Sequence, residues 1–220
     1  MPSTMPVVPS VPTPPLKTVT DLLQRLGDIP PERVRWQPRP GDATEADVLR
    51  EENKLCELVE GVLVEKAMGF PEAFLATFLC RILDEFIRPR KLGIVIGPDG
   101  TWRLWAGLVR MPDVAFVSWD RLPGRRVPTA PIPDLAPNLA VEVLSPSNTR
   151  AEMARKRQVH FTAGVQLVWE ADLLARTVTV YPSPTQSTVL TENDTLDGGT
   201  VLSGFRLPLR DWFGELNRQG

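Results

Sequence analysis

Two short apolar runs, each carrying a single carboxylate, constrain this chain more than any other feature of its sequence. The runs cover residues 114–117 and 139–144, and both are typical of buried strands. Asp113 stands at the head of the first run, and Glu142 lies inside the second. A buried carboxylate is costly unless it is paired with a cation or bound to a metal. The two acids therefore indicate a functional site built on neighbouring strands.

The composition is that of an ordinary soluble protein. Of the 220 residues, 42% are hydrophobic and 24% are charged, and the net charge of -2 gives no global argument for nucleic acid. Residues 1–16 hold six prolines and no charge, so we expect a disordered tail before a single domain over residues 17–220. The two cysteines lie in no metal-binding spacing, and the sequence shows no signal peptide and no apolar run long enough to cross a membrane. We therefore expect a cytoplasmic protein that does not contact membranes.

The order of predicted elements favours a mixed α/β (α+β) fold. Residues 56–66 predict a hairpin, and residues 70–87 a long helix that Pro89 stops. Strands follow at 92–97 and 101–105, joined by a turn at 98–100. A strand at 139–144, a helix from about residue 150 to 163 and a strand at 165–170 form a βαβ unit with parallel strands. A strand at 177–181, a hairpin with arms at 190–196 and 201–205, and a short helix at 207–216 close the chain. We expect a mixed sheet with helices on its faces and added N-terminal and C-terminal hairpins.

The candidate site combines these two acids with a lysine on the following helix. If their strands are neighbours, Asp113 and Glu142 can share one Mg²⁺, which takes one or two protein carboxylates and leaves room for water and phosphate. Lys156 could then orient the attacking water or stabilise the charged phosphorane. His160 lies four residues further along, on the same helix face.

The joint pattern of motifs resembles the Uma2 family (formerly DUF820) of the PD-(D/E)XK nuclease superfamily. The residues that carry the resemblance are ELVEGVLVEK (57–66), VRMPDVAFVSWDRLP (109–123), PIPDLAPNLAVEVLSPSNT (131–149), Lys156, AGVQLVW (163–169) and TVTVY (177–181). The resemblance covers about residues 52–216. It implies a restriction-endonuclease-like fold and a Mg²⁺- or Mn²⁺-dependent endonuclease that cuts DNA. It also suggests a homodimer, since many nucleases of this superfamily cut two strands with two subunits.

The resemblance assigns roles to single residues. Asp113 corresponds to the PD aspartate and Glu142 to the first acid of the (D/E)XK element. The superfamily lysine would stand at position 144, where this chain has Leu144, and Lys156 fits the place to which the family lysine has moved. An additional glutamate is expected from the preceding strand or the first helix, with Glu57 and Glu72 as candidates.

Several alternatives stay open at this point. This chain lacks the histidine that many relatives carry near the start of the long helix, has His160 where they usually have Tyr, and carries Glu170 beside a tryptophan. The first alternative is a catalytically silent nuclease fold that serves as a DNA-binding or protein-interaction module, and the second is an enzyme acting on a phosphodiester other than DNA. Six arginines are candidates for phosphate contacts: Arg121, Arg125, Arg126, Arg150, Arg155 and Arg157.

Overall fold

The computed structural model describes residues 17–53 and 55–219, so the expected disordered tail at residues 1–16 lies outside the described residues. The helices are α1 (Val19–Leu26), α2 (Glu45–Val48), α3 (Phe70–Arg90), α4 (Arg150–Thr162) and α5 (Leu209–Gly214). The strands are β1 (Cys56–Val59), β2 (Val62–Glu65), β3 (Gly93–Ile96), β4 (Trp102–Trp105), β5 (Leu108–Arg110), β6 (Val114–Ser118), β7 (Leu139–Leu144), β8 (Leu167–Asp172), β9 (Thr177–Ser183), β10 (Gln186–Thr191), β11 (Thr195–Gly198) and β12 (Leu202–Pro208).

The main sheet has six strands in the order β10-β9-β8-β7-β6-β3. Strands β7 and β8 are parallel and are joined by α4, which confirms the predicted βαβ unit. The other pairings in this sheet are antiparallel, so the sheet is mixed as expected. A smaller sheet has the order β2-β1-β5-β4, and β11 pairs with β12 as a separate hairpin. The predicted fold class is confirmed.

Alternation along the central strands gives the main sheet two different faces. Val141 and Val143 of β7 pack into a core with α3 and the β11–β12 hairpin. Ala140 belongs to a second core, which includes α1 and residues of the smaller sheet. Since side chains alternate along a strand, Glu142 points to the same face as Ala140. The site acid is therefore directed away from α3.

Three sequence-based predictions differ from the structure in detail. The long helix continues past Pro89 to Arg90 and ends where Lys91 adopts a left-handed conformation with φ 53°. Strands β3 and β4 form at the expected places, but they lie in different sheets instead of pairing with each other. The last hairpin begins at Thr195 because Asp194 closes a turn with Thr191, whose N–H donates to Asp194 Oδ2 at 2.8 Å. Within the described ranges, no helix is both long and apolar enough to cross a lipid bilayer.

Candidate active site

Asp113 directly precedes β6, and Glu142 lies on the neighbouring strand β7. The two strands pair antiparallel, and their register ends with Val114 opposite Val141. The backbone N–H of Asp113 donates to the Val141 carbonyl at 2.9 Å and not to Glu142, so the regular ladder stops there. The Asp113 carboxylate still lies close enough to Glu142 for the charge of Glu142 to raise its pKa. The expectation that the two acids stand on neighbouring strands is met, and both are buried, at 2% and 4% exposure.

Helix α4 covers this face of the sheet and contributes two further groups. The Lys156 Nζ atom lies 3.2 Å from Glu142 Oε2, and His160 Nε2 lies 3.1 Å from Glu142 Oε1. Both side chains are buried and stand four residues apart, on one face of the helix. The helix begins at this position because Thr149 caps it, accepting the N–H of Glu152 at 3.0 Å. The two residues predicted from helical spacing therefore reach the same carboxylate.

Glu57 of β1 brings the smaller sheet into the cluster. Its Oε2 atom lies 3.5 Å from Lys156 Nζ and 2.8 Å from Nη1 of Arg110. Its Oε1 atom accepts the backbone N–H of Met111 at 2.9 Å. Of the two glutamates considered from the sequence, Glu57 joins the cluster. Glu72 instead accepts the N–H of Gly69 at 3.0 Å at the start of α3, as expected for an acid in the first turn of a helix.

Lys66 completes the cluster from the end of β2. Its Nζ atom lies 2.7 Å from Asp113 Oδ1 and donates to the Pro98 carbonyl at 2.6 Å. The other oxygen of Asp113, Oδ2, accepts the N–H of Val143 at 2.6 Å. Lys66 and Arg110 were not predicted as site residues. Lys66 stands inside the ELVEGVLVEK motif, but the sequence contains no signal that this lysine meets Asp113.

The resulting cluster is buried and balanced in charge. Three carboxylates, those of Glu57, Asp113 and Glu142, face three cations, those of Lys66, Arg110 and Lys156. A second buried ion pair lies next to it on α4, where Arg33 forms two hydrogen bonds of 2.9 and 2.8 Å with Glu152.

The charges fix the protonation states of most of these groups. Burial alone would raise the pKa of Glu142, but the charge of Lys156 and the hydrogen bond with His160 outweigh burial and lower that pKa. The pKa of Glu57 is lowered in the same way, against burial, by Lys156 and Arg110. The pKa of Lys156 is raised, since Glu142 and Glu57 outweigh the effect of its burial. Lys156 is therefore protonated at neutral pH, so it acts as a cation and not as a base.

Asp113 differs from the other two acids. Burial raises its pKa to about 6, and the nearby charge of Glu142 adds to this effect while Lys66 opposes it. Its Oδ1 atom accepts no well-directed hydrogen bond, although Lys66 is close. A carboxylate oxygen in this situation is chemically suited to a hard cation such as Mg²⁺.

Asp113 and Glu142 are the donor pair that fits a divalent ion. Over residues 17–53 and 55–219, no group of three or more His, Cys, Asp or Glu side chains is arranged to hold a metal. A Mg²⁺ ion needs only one or two protein carboxylates, because water and substrate phosphate supply its remaining ligands. The chemistry of this pair is thus compatible with the ion that the sequence predicts.

A cleft of about 800 Å³ lies at the N-terminal end of α4, and its lining includes none of the acids of the cluster. Glu170, which stands opposite Glu142 on β8, lines this cleft together with Arg157, and the Arg157 Nη1 atom lies 2.6 Å from Glu170 Oε1. The Arg157 guanidinium also stacks 4.1 Å from the centroid of the Tyr181 ring. Leu144 of β7 lines the same cleft. The cleft therefore reaches Glu170, the residue that stands next to Glu142 on the neighbouring strand.

The predicted phosphate-binding arginines are not gathered at this cleft. Arg125 pairs with Asp120 at 3.0 Å, and it follows β6 at the end remote from Asp113. Arg126 is exposed on the same loop. Arg155 lies on α4, 3.7 Å from Glu60. Of the six arginines considered from the sequence, Arg150 and Arg157 are the ones that line the cleft.

Comparison with known proteins places the chain in a wider context. The Uma2 family model, described as “Putative restriction endonuclease”, matches residues 43–210. The chain is also similar in structure to a protein from Anabaena variabilis ATCC 29413 that is described as a “putative nuclease belonging to DUF820”. The two share 21% sequence identity and a TM-score of 0.68, over 78% of this chain and 97% of that chain. A search among curated proteins finds no significant match.

Proposed function

The chain belongs to the Uma2 family of restriction-endonuclease-like proteins, and on that premise we propose that it is a metal-dependent endonuclease acting on DNA. The observation that carries the proposal is the placement of Asp113 and Glu142 at the adjoining ends of two neighbouring strands, with Lys156 beside Glu142. Two adjacent carboxylates can hold a divalent ion against a phosphodiester, and a nearby cation can offset charge on the phosphate. The family membership supports a nuclease, while the metal and the DNA substrate are our proposal.

In this proposal Asp113 and Glu142 hold Mg²⁺ or Mn²⁺. When bound, such an ion lowers the pKa of a coordinated water and offsets charge that develops on the phosphate. Lys156 is held between Glu142 and Glu57 and stays protonated, so it stabilises negative charge on a phosphate oxygen or orients the attacking water. Glu57 acts as a positioning residue, because it fixes the Lys156 ammonium from the second sheet.

The cleft beside Glu170 is the proposed approach for the substrate. Arg150 and Arg157 line it and can contact phosphate oxygens of the DNA backbone. Arg125, Arg126 and Arg155 are more distant candidates for backbone contacts, as expected from the sequence. The homodimer and the cytoplasmic location also stay predictions. Light scattering of the purified protein tests the first, and fractionation of cells tests the second.

Plasmid cleavage with Mg²⁺ or Mn²⁺ tests the proposal. We expect metal-dependent nicking by the wild type and its loss in both Asp113→Ala and Glu142→Ala. Glu85→Ala is the matched control, because Glu85 is an exposed carboxylate on α3 that pairs with the exposed Arg81. Its cleavage rate should equal that of the wild type. Cleavage that survives in the Asp113 and Glu142 variants would contradict the proposed site.

A silent module is the second candidate, and one observation favours it. Each acid of the cluster already has an internal cation as its partner, and Leu144 stands where the superfamily has its lysine. Binding of DNA without cleavage in either metal would support this candidate. If the protein neither binds nor cleaves DNA, both DNA hypotheses are wrong, and bis(p-nitrophenyl) phosphate then tests the remaining interpretation, a different phosphodiester.

A further inference from the structure

Asp113 offers only one oxygen to a metal ion. Its Oδ2 atom is engaged by the Val143 N–H at 2.6 Å, a bond that fixes the side chain against β7. The remaining oxygen, Oδ1, is directed at the ammonium group of Lys66, with 2.7 Å between Oδ1 and Nζ. The atom best suited to ligate a metal is therefore the atom that Lys66 contacts.

Lys66 is held at this place from two sides. Its ammonium group donates to the Pro98 carbonyl, on the turn between β3 and β4, at 2.6 Å. The Lys66 side chain is only 2% exposed, so water does not screen its charge from Asp113. A divalent ion bonded to Oδ1 at about 2.1 Å would lie within roughly 5 Å of Nζ. Two such cations repel strongly in a buried environment, so they cannot both occupy these positions at low cost.

The backbone at Lys66 belongs to neither a helix nor a strand. Lys66 follows the last residue of β2, and residues 66–69 form an irregular connection before α3. Its backbone N–H donates to the Leu55 carbonyl at 2.9 Å, so a swing of the side chain leaves this bond in place. Lys156 has no equivalent freedom, because it stands in the middle of α4 with Glu142 and Glu57 on its ammonium group.

We propose that Lys66 competes with the divalent cation for Oδ1 of Asp113, so that metal binding requires the Lys66 ammonium to move away. The inference rests on the proposed function, since it assumes that Asp113 is a metal ligand. It adds a control element to that site: the affinity for metal depends on an internal cation that occupies the ligand oxygen.

Titration of the full chain with Mn²⁺, followed by the electron paramagnetic resonance signal of the free ion, tests the inference. We expect Lys66→Gln and Lys66→Met to bind Mn²⁺ at least tenfold more tightly than the wild type. Lys66→Arg keeps the charge and should not tighten binding. Lys17→Met is the matched control, because Lys17 is an exposed lysine outside the cluster. The inference is overturned if both neutral Lys66 variants bind Mn²⁺ no more tightly than the wild type does. It is also overturned if neither the wild type nor the variants bind Mn²⁺.

Thermal unfolding with and without Mn²⁺ gives a second measurement that does not depend on activity. Removal of Lys66 leaves the Asp113 carboxylate buried without its cation, so the neutral variants should melt below the wild type and recover on addition of Mn²⁺. The double variant Lys66→Gln/Asp113→Asn should lose both the tighter binding and the recovery. Tight binding that persists in the double variant would place the ion elsewhere and overturn the inference.

The outcomes separate the two proposals. If the wild type cleaves DNA but Lys66→Gln binds Mn²⁺ with unchanged affinity, the proposed function is supported and the role of Lys66 is contradicted. If Lys66→Gln binds Mn²⁺ more tightly in a way that depends on Asp113, but no variant cleaves DNA, the role of Lys66 is supported and the nuclease function is contradicted.

Discussion

Substitution of Lys156 by methionine should destabilise the folded protein severely. The Lys156 ammonium is shared by two buried carboxylates, at 3.2 Å from Glu142 Oε2 and 3.5 Å from Glu57 Oε2. Methionine has a similar length and fills the space, but it carries no charge. The substitution therefore isolates the electrostatic contribution of the lysine from its packing.

The expected loss follows from the charges that remain. At an effective dielectric constant of about 20, a unit pair at these distances attracts by about 5 kcal/mol. Part of this is offset because Lys156 no longer has to be desolvated. Glu57 keeps Arg110 and the Met111 N–H, and Glu142 keeps His160. We expect the free energy of unfolding at pH 7 to fall by about 3–5 kcal/mol, the usual result of removing one partner from a buried pair.

Urea denaturation of four proteins measures this effect. They are the wild type, Lys156→Met, Glu142→Gln and the double variant, which together form a double-mutant cycle. The double variant should recover at least about 2 kcal/mol relative to the sum of the single changes, because a neutral amide replaces the nearer of the two carboxylates that the missing lysine neutralised, while Glu57 keeps Arg110. Lys17→Met should stay within about 0.5 kcal/mol of the wild type. A loss below about 1 kcal/mol in Lys156→Met, or strict additivity in the cycle, would refute the reasoning.

Three further predictions concern pH dependence and the support of α4. Burial raises the pKa of Asp113 from its ordinary value of 3.8 to about 6, so the stability associated with its protonated form is complete below pH 3.8 and lost as pH rises through 6. Relative to Asp113→Asn, the wild type should therefore lose roughly 2 kcal/mol between pH 4 and 7 in urea unfolding, and a constant difference would contradict this. Thr149→Ala should lower the free energy of unfolding by about 1–2 kcal/mol, because the hydrogen bond that caps α4 at the Glu152 N–H is lost. Thr149→Ser retains a hydroxyl and should keep most of that stability. Gly27→Ala should destabilise by more than about 2 kcal/mol in the same assay, since φ is 87° and the new Cβ would lie 2.5 Å from the Glu152 nitrogen. Gly204→Ala is its control, with φ 83° and no atom within 4 Å, and an equal cost at both positions would show that the close contact contributes nothing.

The acids of the site could be predicted from the sequence because their positions follow from local rules. A charged residue inside an apolar strand is conspicuous, and alternation fixes the face to which Glu142 points. The Thr149 cap at the start of α4 and the helical spacing then place Lys156 and His160 on one side of the helix. Each of these inferences needs only residues that are close in sequence.

Lys66 and Arg110 could not be found in the same way, because their partners depend on strand pairing between distant segments. Arg110 meets Glu57 only because β5 pairs with β1, and Lys66 meets Asp113 across two different sheets. The turn at residues 98–100 shows the same limit, since its chemistry predicted a turn but not that β3 and β4 would enter separate sheets. The composition of a turn fixes the local chain direction, whereas the choice of sheet depends on which apolar faces find partners.

The family match begins at residue 43, and residues before it form hydrogen bonds with the N-terminal end of α4. Thr149 donates a hydrogen bond to the Gly27 carbonyl, and Arg33 joins Glu152 to the Glu65 carbonyl on β2. Gly27 and Arg33 therefore lie before the family match and still contact the helix that carries Lys156. A substitution at either position would weaken the support of α4 while every acid and lysine of the site stays the same.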